Sequence, residues 1–120
     1  MSDNSTNIEV LEKTLPVAPL KIAAMESCQA LGKKVNDYIV SFRENTINEV
    51  KESPLYVNYR SNNYLVDCCC PRFGTGEAKG VIRETIRGTD LFIMTDVCNY
   101  SLTYTVSGHL NHMSPDDHYQ

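Results

Sequence analysis

Residues 63–96 read NYLVDCCCPRFGTGEAKGVIRETIRGTDLFIMTD, in the order strand, glycine-rich turn, strand, tight turn, strand. Residues 63–70 are rich in strand formers (Tyr64, Leu65, Val66, Cys68, Cys69, Cys70) and are closed by Pro71. Arg72-Phe73-Gly74-Thr75-Gly76-Glu77 is a turn, because two glycines two apart mark backbone with positive φ or close approach. Residues 78–86 resume an extended pattern, and Arg87-Gly88-Thr89-Asp90 turns it again. Leu91-Phe92-Ile93-Met94 is a continuous apolar run, long enough for a buried strand and too short for a buried helix. Thr95-Asp96 then forms a polar tip of the kind that ends a central α/β strand.

Upstream of this stretch, residues 1–19 are polar and then proline-punctuated, and read as a loosely held lead-in with one helical turn around Ile8 to Leu11. Residues 20–25 (LKIAAM) form a short first strand. Ser27 is the expected N-cap of the first helix, with Glu26 favouring the positive end of its dipole. Leu31, Val35, Tyr38, Ile39 and Phe42 recur at helical period and predict one apolar stripe facing a sheet. A strand followed by an amphipathic helix is the start of a βαβ unit. Residues 44–62 scatter turn signals (Asn45, Asn48, Ser53, Pro54, Asn58, Ser61, Asn62), with Leu55-Tyr56-Val57 as a short extended piece.

Downstream, Ser114-Pro115-Asp116-Asp117 is a helix start: a serine N-cap, proline at the first helical position and acid through the first turn. Only about one turn follows before Gln120, and isolated helices below about 12–15 residues are marginal. The chain is therefore expected to be the front part of a longer protein.

Composition bounds the class. The chain has 120 residues, 42% hydrophobic and 22% charged, the balance of one soluble globular domain. A net charge of −4 and a pI near 5.3 speak against general affinity for nucleic acid or an anionic membrane. No apolar run approaches the ~20 residues of a membrane span. Residues 1–13 lack the charged start and apolar core of a secretory signal, so a cytoplasmic location is expected. The five cysteines are Cys28, Cys68, Cys69, Cys70 and Cys98. None forms a C-x-x-C pair, and on a strand Cys69 faces away from Cys68 and Cys70, so the three cannot share one metal. They read as small buried hydrophobes kept reduced, with a redox or zinc role as the alternative.

Residues 74–80 space their glycines as G-x-G-x-x-x-G, which fits neither a dinucleotide fingerprint nor a phosphate-binding P-loop. Taken alone, the loop is a hairpin turn. Arg72, Lys79, Arg83 and Arg87 flank it. They form either a phosphate-facing patch or a solvated strand face interleaved with Glu77 and Glu84. His109, His112 and His118 sit near Asp116 and Asp117 but match no metal-binding spacing and read as loop and first-turn residues. No nucleophile–base arrangement stands out.

The run Arg72-Phe73-Gly74-Thr75-Gly76-Glu77, then Ile82, Glu84, Arg87-Gly88-Thr89-Asp90 and Leu91-Phe92-Ile93-Met94, resembles the N-terminal domain of ribose-phosphate pyrophosphokinases over roughly residues 20–100. The resemblance implies an α/β, phosphoribosyltransferase-like fold with a mostly parallel sheet, a β-hairpin excursion at 63–87 and a first domain that is incomplete at 120. Against that family, residues 44–62 look like an insertion. It also implies magnesium-dependent transfer of pyrophosphate from ATP to ribose 5-phosphate in a cytoplasmic homo-oligomer. In the family this loop reaches the adenine of ATP in a neighbouring subunit, which carries adenine contacts onto Phe73, Glu77 and Thr75. Gly74 stands where the family has serine, and Thr75 where it has aspartate. The family's catalytic lysine and arginine segment, its magnesium ligands and its ribose 5-phosphate loop have no counterpart in residues 1–120, so the isolated chain is expected to be inactive. Two alternatives stand beside the enzyme: a non-catalytic assembly subunit of the same family, and an unrelated α/β nucleotide-binding domain.

Overall fold

The structure is a computed structural model that describes residues 16–50 and 59–120, with backbone alone at residues 49 and 50. The lead-in at 1–15, with its helical turn, and the extended piece at 55–57 lie outside the described residues.

Strand β1 (Leu20–Ala24) and strand β4 (Asp90–Met94) pair in parallel, with Ile22 opposite Phe92. On the other side of β1, Leu65 makes a single parallel bridge to Ile22. The Ile22 N–H donates to the Tyr64 carbonyl at 2.8 Å, and the Val66 N–H donates to the Ile22 carbonyl at 2.9 Å. β1 is thus flanked on both edges, and Ile22 and Ala23 are among the most buried residues. The α/β class is as expected, but parallel pairing stays at two strands and one bridge. The other two sheets among the described residues, β2 (Cys68–Cys69) with β3 (Val81–Ile82) and β5 (Thr103–Val106) with β6 (His109–His112), are antiparallel.

The connection after β1 is a 3-10 turn, Glu26–Cys28, and helix α1 then runs Gln29–Val50. Ser27 is not its N-cap. Its hydroxyl instead lies 3.2 Å from the Thr95 hydroxyl and accepts from the Asp96 N–H at 2.9 Å, tying the helix entry to the end of β4. The turn signals at Asn45 and Asn48 fall inside the helix, so residues 44–50 complete α1 rather than form a turn-rich segment.

The apolar stripe is also displaced. Leu31 and Tyr38 are 54% and 71% exposed, while Cys28, Gly32, Asn36, Thr46 and Ile47 are buried. The reason is Gly32. A Cβ there would stand 2.5 Å from the Ala24 Cβ, so the helix backbone lies directly on β1 and the smallest residue sets the contact line. The Asn36 side chain survives burial by accepting from the Tyr64 N–H at 2.7 Å, as buried polar groups require. Arg43 closes the far end: its guanidinium donates to the Tyr59 carbonyl at 2.9 Å and lies 4.5 Å from the Tyr59 ring centroid.

Strand β4 departs from expectation in burial. Phe92 and Ile93 are 61% and 67% exposed. Among the described residues β4 pairs only with β1, and an edge strand with no layer against it leaves its apolar side chains in solvent. The turn before it is as read: Gly88 has φ 74°, and the Thr89 hydroxyl donates to the Ile86 carbonyl at 2.7 Å.

The five cysteines are free thiols. Only Cys28 is buried; Cys68 and Cys69 are half-buried, and Cys70 and Cys98 are exposed. The expectation of uniformly buried cysteines fails because the strand that carries the triplet lies on the surface.

Candidate recognition loop

The hairpin at 67–83 is longer than its two short strands. Beyond the Cys68–Ile82 and Cys69–Val81 pairs, the Arg83 N–H donates to the Asp67 carbonyl at 2.9 Å and the Lys79 N–H donates to the Pro71 carbonyl at 3.0 Å. Arg72 bridges Ala78, and the Phe73 N–H donates to the Glu77 carbonyl at 2.9 Å. Only residues 74–76 remain as the tip. Gly76 has φ 94°, a conformation that favours glycine; Gly74 needs no such freedom.

Strand alternation over this register sorts the side chains. Phe73 and Glu77 stand opposite one another on one face, with Cys69, Val81, Asp67, Arg83 and Lys79 along it. Arg72, Cys70 and Cys68 take the other. Phe73 is 53% exposed, and Thr75 and Glu77 are exposed. None of these three side chains has a partner among the described residues.

The other face is held down. The Arg72 guanidinium donates to the Gly76 carbonyl at 2.7 Å and to the Asp117 carbonyl at 2.9 Å. It also lies 4.2 Å from the Tyr104 ring centroid and 3.6 Å from the Asp117 carboxylate. Asp117 belongs to helix α2 (Pro115–Tyr119), which begins with a complete capping box: the Asp117 N–H donates to the Ser114 hydroxyl, and the Asp117 carboxylate accepts from the Ser114 N–H. That backbone hydrogen bond, then the Ser114 hydroxyl, Tyr104 and Arg72, hold the Asp117 carboxyl below its ordinary value against the opposing effect of burial. Tyr104 moves up, through desolvation first and its hydrogen bond to Asp117 second. Between the loop and the β5–β6 hairpin lies an open cleft of about 520 Å³, with Thr75, Gly76 and Glu77 on one wall and Tyr104, His109 and Asn111 on the other.

Phe73, Thr75 and Glu77 are thus brought together on one loop, whereas the flanking basic residues divide. Arg72 turns inward as a fastener. Arg83 pairs with Asp67 at 3.4 Å, and Glu84 pairs with Lys21 at 3.0 Å. The hydrogen bond from Lys21, and then one from the Asp67 backbone, hold the Glu84 carboxyl below its ordinary value. His109 and His112 lie in β6 rather than in a loop, and His112 stacks on Tyr100 at 4.4 Å. Sequence reasoning left out Tyr104, Asp117 as a partner of Arg72, and the β5–β6 hairpin. Its signal was present: alternation in Thr103-Tyr104-Thr105-Val106 before Ser107-Gly108, the two residues that turn the chain with φ 49° and 81°. Among the described residues, no group of three or more His, Cys, Asp or Glu side chains is placed to hold a metal ion, and no helix is long and apolar enough to cross a membrane.

The family model for the N-terminal domain of ribose phosphate pyrophosphokinase matches residues 20–114. The chain matches no curated protein and no solved structure.

Proposed function

The chain belongs to the ribose phosphate pyrophosphokinase family through this N-terminal domain, and we propose that its Phe73–Glu77 turn recognises the adenine of ATP for a ribose-phosphate diphosphokinase. The observation that carries this reading is the Phe73 N–H bond to the Glu77 carbonyl at 2.9 Å. It sets an exposed aromatic ring beside an exposed carboxylate, neither engaged elsewhere among the described residues. A planar ring stacks on a purine, and a carboxylate accepts from an exocyclic amine. Thr75, at the tip, offers a hydroxyl to the same base.

In the reaction so served, the 1-hydroxyl oxygen of ribose 5-phosphate attacks the β-phosphorus of ATP. The bond from that phosphorus to the α–β bridging oxygen breaks, AMP leaves, and the hydroxyl proton passes to solvent. Such chemistry depends on positioning and on neutralising phosphate charge. The residues of this loop contribute the positioning of the base. Magnesium finds no group of three or more His, Cys, Asp or Glu side chains to hold it among the described residues. As the family resemblance implies, this loop serves the nucleotide of a neighbouring copy in a cytoplasmic homo-oligomer, and its exposure leaves it open to that role.

The test is ligand-observed NMR on the chain with ATP, reading saturation transferred to the adenine protons. Phe73→Ala loses the transfer, and Glu77→Gln reduces the preference for ATP over GTP, because guanine presents a carbonyl where adenine presents its amine. Equal adenine signals from the parent chain and Phe73→Ala would overturn the assignment.

A further inference from the structure

We infer that Cys68, Cys70 and Met25 form a sulfur-only site for a soft monovalent cation of the copper(I) class. The hairpin register puts Cys68 and Cys70 on one side, with Cα atoms about 6.6 Å apart on an extended chain, and Cys69 on the other. That side faces the end of β1. The Cys68 Sγ lies 3.9 Å from the Ala24 carbonyl, and the Cys70 Sγ lies 3.6 Å from the Met25 Sδ. Met25 is itself fixed, since its N–H donates to the Met94 carbonyl at 2.9 Å. The Cys70 and Met25 sulfurs are thereby in contact, and Cys68 lies on the same face of the hairpin, against the end of β1.

This donor set selects its ion. Thiolate and thioether sulfurs favour copper(I), whereas zinc takes four nitrogen, sulfur or oxygen ligands and magnesium takes oxygen. With Met25 as third donor, the site lies outside the His, Cys, Asp and Glu groupings that hold harder ions. Two neighbouring thiolates repel, and a cation between them removes that repulsion. On binding, each thiol loses its proton to solvent as its sulfur becomes a ligand, so one copper(I) enters and two protons leave. Neither metal nor sulfur changes oxidation state. Arg83, 3.6 Å from the Cys69 Sγ, stands on the opposite face and does not oppose the cation.

The experiment is anaerobic titration of the reduced chain with copper(I) against the chromophoric competitor bicinchoninate. One equivalent is expected to be withheld from the competitor by the parent and by the Cys69→Ser and Cys98→Ser variants. Cys70→Ser and Met25→Leu are expected to weaken that binding by about tenfold or more, as loss of a ligand exceeds the usual cost of losing its supporting contacts. Cys70 is exposed and Met25→Leu conserves volume, so both variants fold; circular dichroism of the metal-free proteins checks this. Binding unchanged in Met25→Leu, or lost equally in Cys69→Ser and Cys70→Ser, would overturn the site.

Discussion

Arg72 is the residue on which the Phe73–Glu77 turn depends. One guanidinium serves the Gly76 carbonyl, the Asp117 carbonyl and the Tyr104 ring. Lysine has neither the fork nor the planar face to do all three. Arg72→Lys is expected to lower stability by about 2 kcal/mol, within the range for hydrogen bonds from charged groups, as read by urea denaturation. It is also expected to broaden the NMR resonances of residues 73–77. Asp117 gives the acid counterpart. Its carboxyl is held below its ordinary 3.8, so the folded state binds fewer protons than the unfolded state near that pH. The resulting stability is complete above 3.8 and is lost as pH falls through the lowered value. Hydrogen exchange in α2 is expected to rise steeply over that acid window, and Asp117→Asn is expected to flatten the profile.

At the scale of elements, two glycines decide how pieces meet. Gly32→Ala puts a methyl 2.5 Å from the Ala24 Cβ. Helix α1 must lift from β1, at a cost of about 1–3 kcal/mol for overpacking. Gly76→Ala meets both a φ of 94° and the Val106 Cγ2 at 3.2 Å, and is expected to cost about 1–2 kcal/mol. Gly80→Ala, with open space around its Cβ, is the neutral comparison in the same denaturation series. These positions also explain what the sequence disclosed. Strand β4, the Gly88 turn and the Ser114 cap were legible because local chemistry fixes them. The buried face of α1 was not, since Leu31 and Tyr38 carry the helical period while Gly32 carries the contact. Periodicity weighs hydrophobicity, and here close approach won. At the loop, the glycine-marked turn was legible, but its anchor was not, because Tyr104 and Asp117 reach Arg72 from more than thirty residues downstream.

At the scale of the whole molecule, one edge of β4 is unpaired among the described residues. Phe92 and Ile93 project into solvent from a strand that pairs on one edge only among the described residues. Exposed apolar edges associate. The chain is expected to self-associate with rising concentration in analytical ultracentrifugation, and Ile93→Lys is expected to shift it toward monomer without loss of helical circular dichroism. The pairing of β1 with β4 has a kinetic consequence as well. Its partners are about seventy residues apart, and closing such a loop costs about 2 kcal/mol more conformational entropy than closing a five-residue turn. The 67–83 and β5–β6 hairpins are therefore expected to assemble first. The parallel ladder is expected to form last, on a chain already carrying its loop, which makes the arrival of β4 beside β1 the expected slowest step in folding.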